Sequence, residues 1–158
     1  MGMDVYGKNP RTKEGKYFRS NVWWWHPLAT YCEVVAPKTT KDWGAWHHND
    51  GEGLNDSESL VLAALLEVEL ESGRCQKYEQ QYKAKMEAMP LEVCEFCKGT
   101  GARTDEVGKK YGLDKPGGCN GCEGKGTVAP SATWYRFDCS LVREFVDFLK
   151  NCGGFEIC

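Results

Sequence analysis

The phrase Cys94-Glu-Phe-Cys97-Lys-Gly99-Thr-Gly101 returns farther along the chain as Cys119-Asn-Gly-Cys122-Glu-Gly124-Lys-Gly126. The pattern C-x-x-C-x-G-x-G is thus written twice within residues 91–129, a glycine-rich segment with few large apolar side chains. Two residues between cysteines let both sulfurs converge from one tight knuckle, and two knuckles supply the four thiolates of a closed tetrahedral zinc shell. The glycines that follow each pair permit positive φ and close backbone approach, so that amide N–H groups can point at the sulfurs. The expected ligands are Cys94, Cys97, Cys119 and Cys122, and the expected cofactor is one structural Zn2+. A thioredoxin-like redox pair lacks its strand-to-helix setting here, and a catalytic zinc lacks an open coordination position.

Outward from this segment the chain regains the periodicities of a packed core. Its 158 residues are 41% hydrophobic and 12% aromatic, which suits one compact domain and excludes disorder of the whole chain. Residues 1–20 carry five basic side chains among Gly and Pro and read as a loop-rich opening segment. Val22 to Trp25 favours an extended conformation, with Pro27 starting a helix that runs to about Val35 and presents Leu28, Tyr31, Cys32 and Val35 on one face. Residues 43–55 read as an irregular connection. Asn55 with Glu58 then resembles a capping pair opening a helix to about Glu71, apolar on so many sides that it is expected to be the central core helix. A second helix, about Arg74 to Met89, spaces Cys75, Tyr78, Tyr82, Met86 and Met89 three or four apart. Beyond residue 129 come an expected strand over Trp134–Phe137, a helix from Leu141 to Lys150 with Ser140 as a cap, a glycine stop, and a short strand over Phe155–Cys158. The fold class is therefore α+β: an α-rich single domain, residues 1–90 and 130–158, with a short sheet and an inserted zinc-ribbon-like module over residues 91–129.

The two phrases resemble the repeats of the DnaJ-type cysteine-rich zinc finger of J-domain co-chaperones, over residues 94–126 only. That family has four repeats and two zinc ions, so the resemblance implies half the unit and one zinc. The co-chaperone His-Pro-Asp signature is not matched, because His26-Pro27 is followed by Leu28. A weaker resemblance, carried by Gly7-Lys8-Asn9-Pro10, Tyr17-Phe18-Arg19-Ser20-Asn21-Val22-Trp23-Trp24-Trp25 and Asn49-Asp50-Gly51-Glu52-Gly53-Leu54, is to small uncharacterised proteins of bacteria and their phages. It implies a bacterial or phage setting and no particular activity.

Charge narrows the partners. Residues 91–129 hold six basic and six acidic side chains, and four thiolates with one Zn2+ add two negative charges, taking the formal net charge from −3 to −5. This disfavours a nucleic-acid partner, whose affinity comes mainly from phosphate neutralisation. Residues 43–72 carry seven acids and no Lys or Arg, read as a solvated acidic face. No run approaches the roughly 20 apolar residues of a membrane span, and Met-Gly-Met-Asp is no signal sequence, so the expectation is a cytoplasmic protein without a membrane partner. Nine cysteines, an odd number, argue against a secreted disulfide scaffold; Cys32, Cys75, Cys139, Cys152 and Cys158 are expected to be reduced, buried thiols.

Trp23-Trp24-Trp25-His26, with Arg19 and Asn21, offers a candidate ligand or partner surface beside the plainer reading of two-sided packing. His47-His48-Asn49-Asp50 resembles part of a histidine-asparagine-histidine nuclease motif, but the later histidine is absent. No other enzyme signature occurs. The leading expectation is a non-enzymatic zinc-binding interaction protein, a bacterial or phage accessory protein that binds a protein partner. The alternatives are a phage counter-defence protein that sequesters a small nucleotide-like signal, and a metal-dependent nuclease.

Overall fold

A computed structural model describes residues 2–40 and 44–158; residue 43, the first of the expected connection, lies outside them. The elements are β1 (Gly2–Gly7), β2 (Tyr17–Asn21), α1 (Val22–Val35), α2 (Pro37–Thr40), β3 (Gly53–Leu54), α3 (Asp56–Glu71), α4 (Arg74–Glu87), β4 (Glu92–Val93), α5 (Glu106–Lys110), β5 (Thr127–Val128), α6 (Cys139–Asn151) and β6 (Phe155–Ile157). Helices with a small antiparallel sheet make this an α+β fold. Two compact units emerge: residues 1–84 with 135–158, and residues 85–134. No helix among the described residues is long and apolar enough to cross a membrane.

In the first unit the strands run in the order β2-β1-β6-β3, all antiparallel. Val5 pairs with Phe18 on one side and Ile157 on the other, and all three are buried. Side chains alternate across a strand, so the intervening Asp4, Tyr6 and Arg19 fall on the other face, where the Tyr17 hydroxyl donates to Asp4. The buried face meets α6, whose Val142, Phe145, Val146 and Leu149 form an apolar stripe at helical spacing. Phe145 is the hub: its ring lies 5.1 Å from Phe18, 5.8 Å from Trp25, 5.9 Å from Phe148 and 6.0 Å from Phe155.

The residues read as a loop-rich opening are instead the β1–β2 hairpin. Their short alternation, Met3 and Val5 against Phe18 and Ser20, gains its meaning only when β6 arrives from the far end of the chain. Val22–Trp25 is not extended: Asn21 caps α1, its side chain accepting from the N–H groups of Trp23 and Trp24 at 3.1 and 3.3 Å. Pro27 consequently sits inside the helix rather than at its start. The hydrogen bond a proline withholds from the carbonyl four residues back is replaced, because Trp23 O accepts from Arg136 N–H at 2.8 Å. That bond also holds the segment expected as a strand over Trp134–Phe137, which is a 3₁₀ turn (Ser131–Trp134) followed by chain that joins neither sheet.

Asn55 and Glu58 make the full capping box: Asn55 Oδ1 accepts from Glu58 N–H at 2.9 Å, and Glu58 Oε2 accepts from Asn55 N–H at 3.0 Å. Asn55→Ala should therefore cost about 1 kcal/mol of stability, read as a lower urea midpoint at unchanged slope. The helix it opens is not a central one. Leu62, Ala63 and Leu66 are buried, while Leu60, Val61, Leu65 and Val68 are exposed. Its acids are partly paired, Asp56 with Arg11, Glu67 with Lys150 and Glu69 with Arg74. The cap of α6 is Asp138, not Ser140, and Gly153 and Gly154, both at positive φ, turn the chain from α6 into β6.

Candidate metal centre

Residues 85–134 have no aliphatic core; the buried cluster there is Cys94, Cys97, Cys119 and Cys122, with Val128 packed against it. The strands β4 and β5 pair through Glu92 with Val128 and Val93 with Thr127, closing the segment at its base. Above them the two knuckles are related by a local twofold pattern. Cys94 N–H donates to Gly126 O, and Cys119 N–H donates to Gly101 O, each at 2.9 Å. Each knuckle is thus completed by the other.

The same pattern sets the sulfurs. Gly101 N–H donates to Cys97 Sγ at 3.3 Å and Gly126 N–H to Cys122 Sγ at 3.1 Å. Both glycines have positive φ, and a Cβ on either would strike a backbone carbonyl, that of Gly124 or of Gly99. These positions need glycine for conformation and for space together. Burial raises the Cys97 thiol, but the N–H of Gly101, a hydrogen bond with Cys122 and the N–H of Gly99 outweigh it and hold it below the usual thiol range.

All four sulfurs lie within 4.8 Å of one another; Cys94 Sγ is 3.8 Å from Cys119 Sγ, and Cys97 Sγ is 3.6 Å from Cys122 Sγ. A tetrahedral shell with Zn–S bonds of about 2.3 Å has sulfur–sulfur edges of about 3.8 Å. The two closest edges match such a shell, and the cluster could hold a metal. It is the one group of three or more clustered ligand side chains found among the described residues.

One residue that the motif does not contain completes the surroundings. Arg103 places its guanidinium 4.5 Å from the centroid of the Phe96 ring, donates to both carboxylate oxygens of Asp105 at 3.0 and 3.1 Å, and reaches Asn120 at 3.2 Å. Hydrogen bonding to Asp105 raises its pKa above the usual guanidinium value, and the negative charge of Cys119 and Cys94 adds to this. Arg103 thus joins the two knuckles, through Phe96 of the first and Asn120 of the second, and brings positive charge toward the thiolates. The sequence marks it only as the one arginine between the two cysteine phrases, which does not disclose this role. Arg103→Ala should weaken metal retention by about 10- to 100-fold, the usual cost of losing an outer partner of a metal site, as read by competition with a chromophoric chelator.

The tryptophan segment is divided by its helix. Trp25 is wholly buried and donates Nε1–H to Trp46 O at 2.6 Å. Asn21 is spent on the cap, and Arg19 lies on the sheet 3.7 Å from Asp4. Trp23, Trp24 and His26 keep partial exposure, Trp23 meeting Tyr135 edge-on at 4.9 Å. His26 Nδ1 is 2.6 Å from His47 Nδ1, and His47 Nε2 is 3.6 Å from the buried Glu33, whose other oxygen accepts from Gly44 N–H. The expectation of five buried thiols holds for Cys32, Cys75, Cys139 and Cys152; Cys158 is exposed.

No family model, no curated protein and no solved structure matches this chain.

Proposed function

We propose that the protein is a non-enzymatic interaction protein in which one Zn2+, held by Cys94, Cys97, Cys119 and Cys122, builds a rigid unit that docks a protein partner through exposed apolar side chains. The carrying observation is where apolar surface lies on residues 85–134. Leu91, Val93, Phe96, Tyr111 and Trp134 are each more than half exposed, in a unit whose interior is sulfur rather than hydrocarbon. A closed thiolate shell does for this segment what a core does elsewhere, and so its large side chains remain available to a partner. Aromatic anchors of this kind dominate the energetics of protein interfaces. The balanced side-chain charge supports a protein partner over nucleic acid.

The doubled phrase, similar to two of the four repeats of the DnaJ-type finger, supports a single ion. The four buried thiols of the first unit support a reducing compartment such as the bacterial cytoplasm. The test compares the zinc-loaded chain with Leu91→Ser/Tyr111→Ser, which leaves all four cysteines and the Phe96–Arg103 contact in place, as baits in nuclease-treated host lysate. A partner held by the first and lost from the second is expected. Equal capture by both, or capture that nuclease treatment abolishes, contradicts the proposal. A small molecule retained beyond one zinc in the native mass spectrum redirects it to ligand sequestration.

A further inference from the structure

Outside the metal centre the fold brings two more cysteines together. Cys75, in the first turn of α4, and Cys139, the first residue of α6, come from positions 64 apart, and their sulfurs lie 2.7 Å from each other in the buried core. That is far inside the 3.6 and 3.8 Å at which the sulfurs of the metal centre face one another. We propose that Cys75 and Cys139 are a redox pair, joined by a peroxide into a reversible disulfide that ties the chain together on either side of residues 85–134.

The surroundings favour this pair over the remaining thiols. Tyr31 and Tyr78, 4.7 Å apart, and Phe137, within 4.9 Å of both, form the aromatic wall beside them. Burial raises both thiols. Glu79 raises both further; at Cys75 hydrogen bonds with Cys139 and with the Tyr31 hydroxyl, and the charge of Arg143, work in the opposite direction, whereas at Cys139 the neighbouring Cys75 adds to the burial. Cys75 is thus the sulfur that reacts first. Access requires the first turn of α4 to open: Cys75 is the one wholly buried residue of that helix, with Tyr78 and Tyr82 half-buried against Tyr31 and Phe137 beyond it.

The chemistry balances with one hydrogen peroxide. The Cys75 thiolate attacks a peroxide oxygen, the O–O bond breaks, and the departing hydroxide takes a proton to leave as water, giving a sulfenic acid at Cys75. The Cys139 sulfur then attacks the Cys75 sulfur; the S–O bond breaks, and the hydroxyl leaves with the Cys139 proton as a second water. Two thiols have lost two electrons to the peroxide and one S–S bond has formed. Disulfides in reducing compartments are characteristically of this transient, sensing kind.

The test uses the full zinc-loaded chain. After peroxide treatment, alkylation in denaturant and tryptic digestion without reductant, a linked pair of peptides, residues 75–77 and 137–143, is expected. The intact mass should fall by two hydrogens, zinc should be retained, and dithiothreitol should reverse the change. Cys75→Ser and Cys139→Ser should each abolish the linked peptide. The mapping on the unmodified chain stands even where a variant folds poorly. Complete alkylation of both cysteines after peroxide, whether no disulfide forms or the bonds form among Cys94, Cys97, Cys119 and Cys122, overturns the proposal.

Discussion

With zinc bound as proposed, stripping it with a strong chelator should unfold residues 85–134 and leave the first unit, residues 1–84 with 135–158, folded. The reason is the separation of the two buried clusters. One is an extensive core of aromatic and aliphatic side chains; the other is four sulfurs and Val128. Without an ion, four thiolates repel one another, and the short β4–β5 pairing is far below what a hairpin needs to stand alone. Structural zinc in finger peptides contributes on the order of 10 kcal/mol, so folding of the segment and its metal content should be one property. Hydrogen exchange followed by peptide should show protection lost over residues 94–126 and kept over α6 and β6. The same pattern is expected of Cys119→Ser. Protection that survives complete metal removal would show that the segment has another source of stability.

The second large effect is in the first unit. Phe145→Ala should cost about 3 to 5 kcal/mol, the range for deleting a fully buried phenylalanine. Phe145 is completely buried and touches rings contributed by β2, α1, α6 and β6, besides Trp46. The neighbours are large and mutually braced, so little of the cavity can collapse. Urea unfolding monitored by tryptophan fluorescence measures it, since Trp25 and Trp46 both line the site. A loss below about 1 kcal/mol would mean that the hub is far more plastic than its packing implies.

What the sequence disclosed and what it hid divide along physical lines. Local signals were legible: the capping box at Asn55 and Glu58, the stripe of α6, the glycines that end it, and the strand over Phe155–Ile157. Long-range signals were not. Gly2–Gly7 has only two buried positions, Met3 and Val5, and becomes a central strand because Ile157, from the far end of the chain, flanks it on the side that its hairpin partner Phe18 leaves open. Trp23–Trp25 has strand-like composition, yet Asn21 caps it into a helix, and the cost of Pro27 is met by a donor more than a hundred residues away, Arg136. The apolar residues of α3 exceed what its neighbours can cover, so the density of leucine overstated its burial. At the candidate metal centre, the cysteines and the N–H donors to sulfur follow from spacing and glycine placement. Arg103 does not, because its importance arises from a ring and an amide that the fold brings to it.

X-ray absorption at the zinc edge, on protein purified without added metal and with its stoichiometry counted by native mass spectrometry, bears on the metal centre most directly. One ion per chain with four sulfur neighbours at about 2.3 Å is the expected result. A metal-free chain, a shell containing nitrogen or oxygen, or disulfides joining Cys94, Cys97, Cys119 and Cys122 would contradict it.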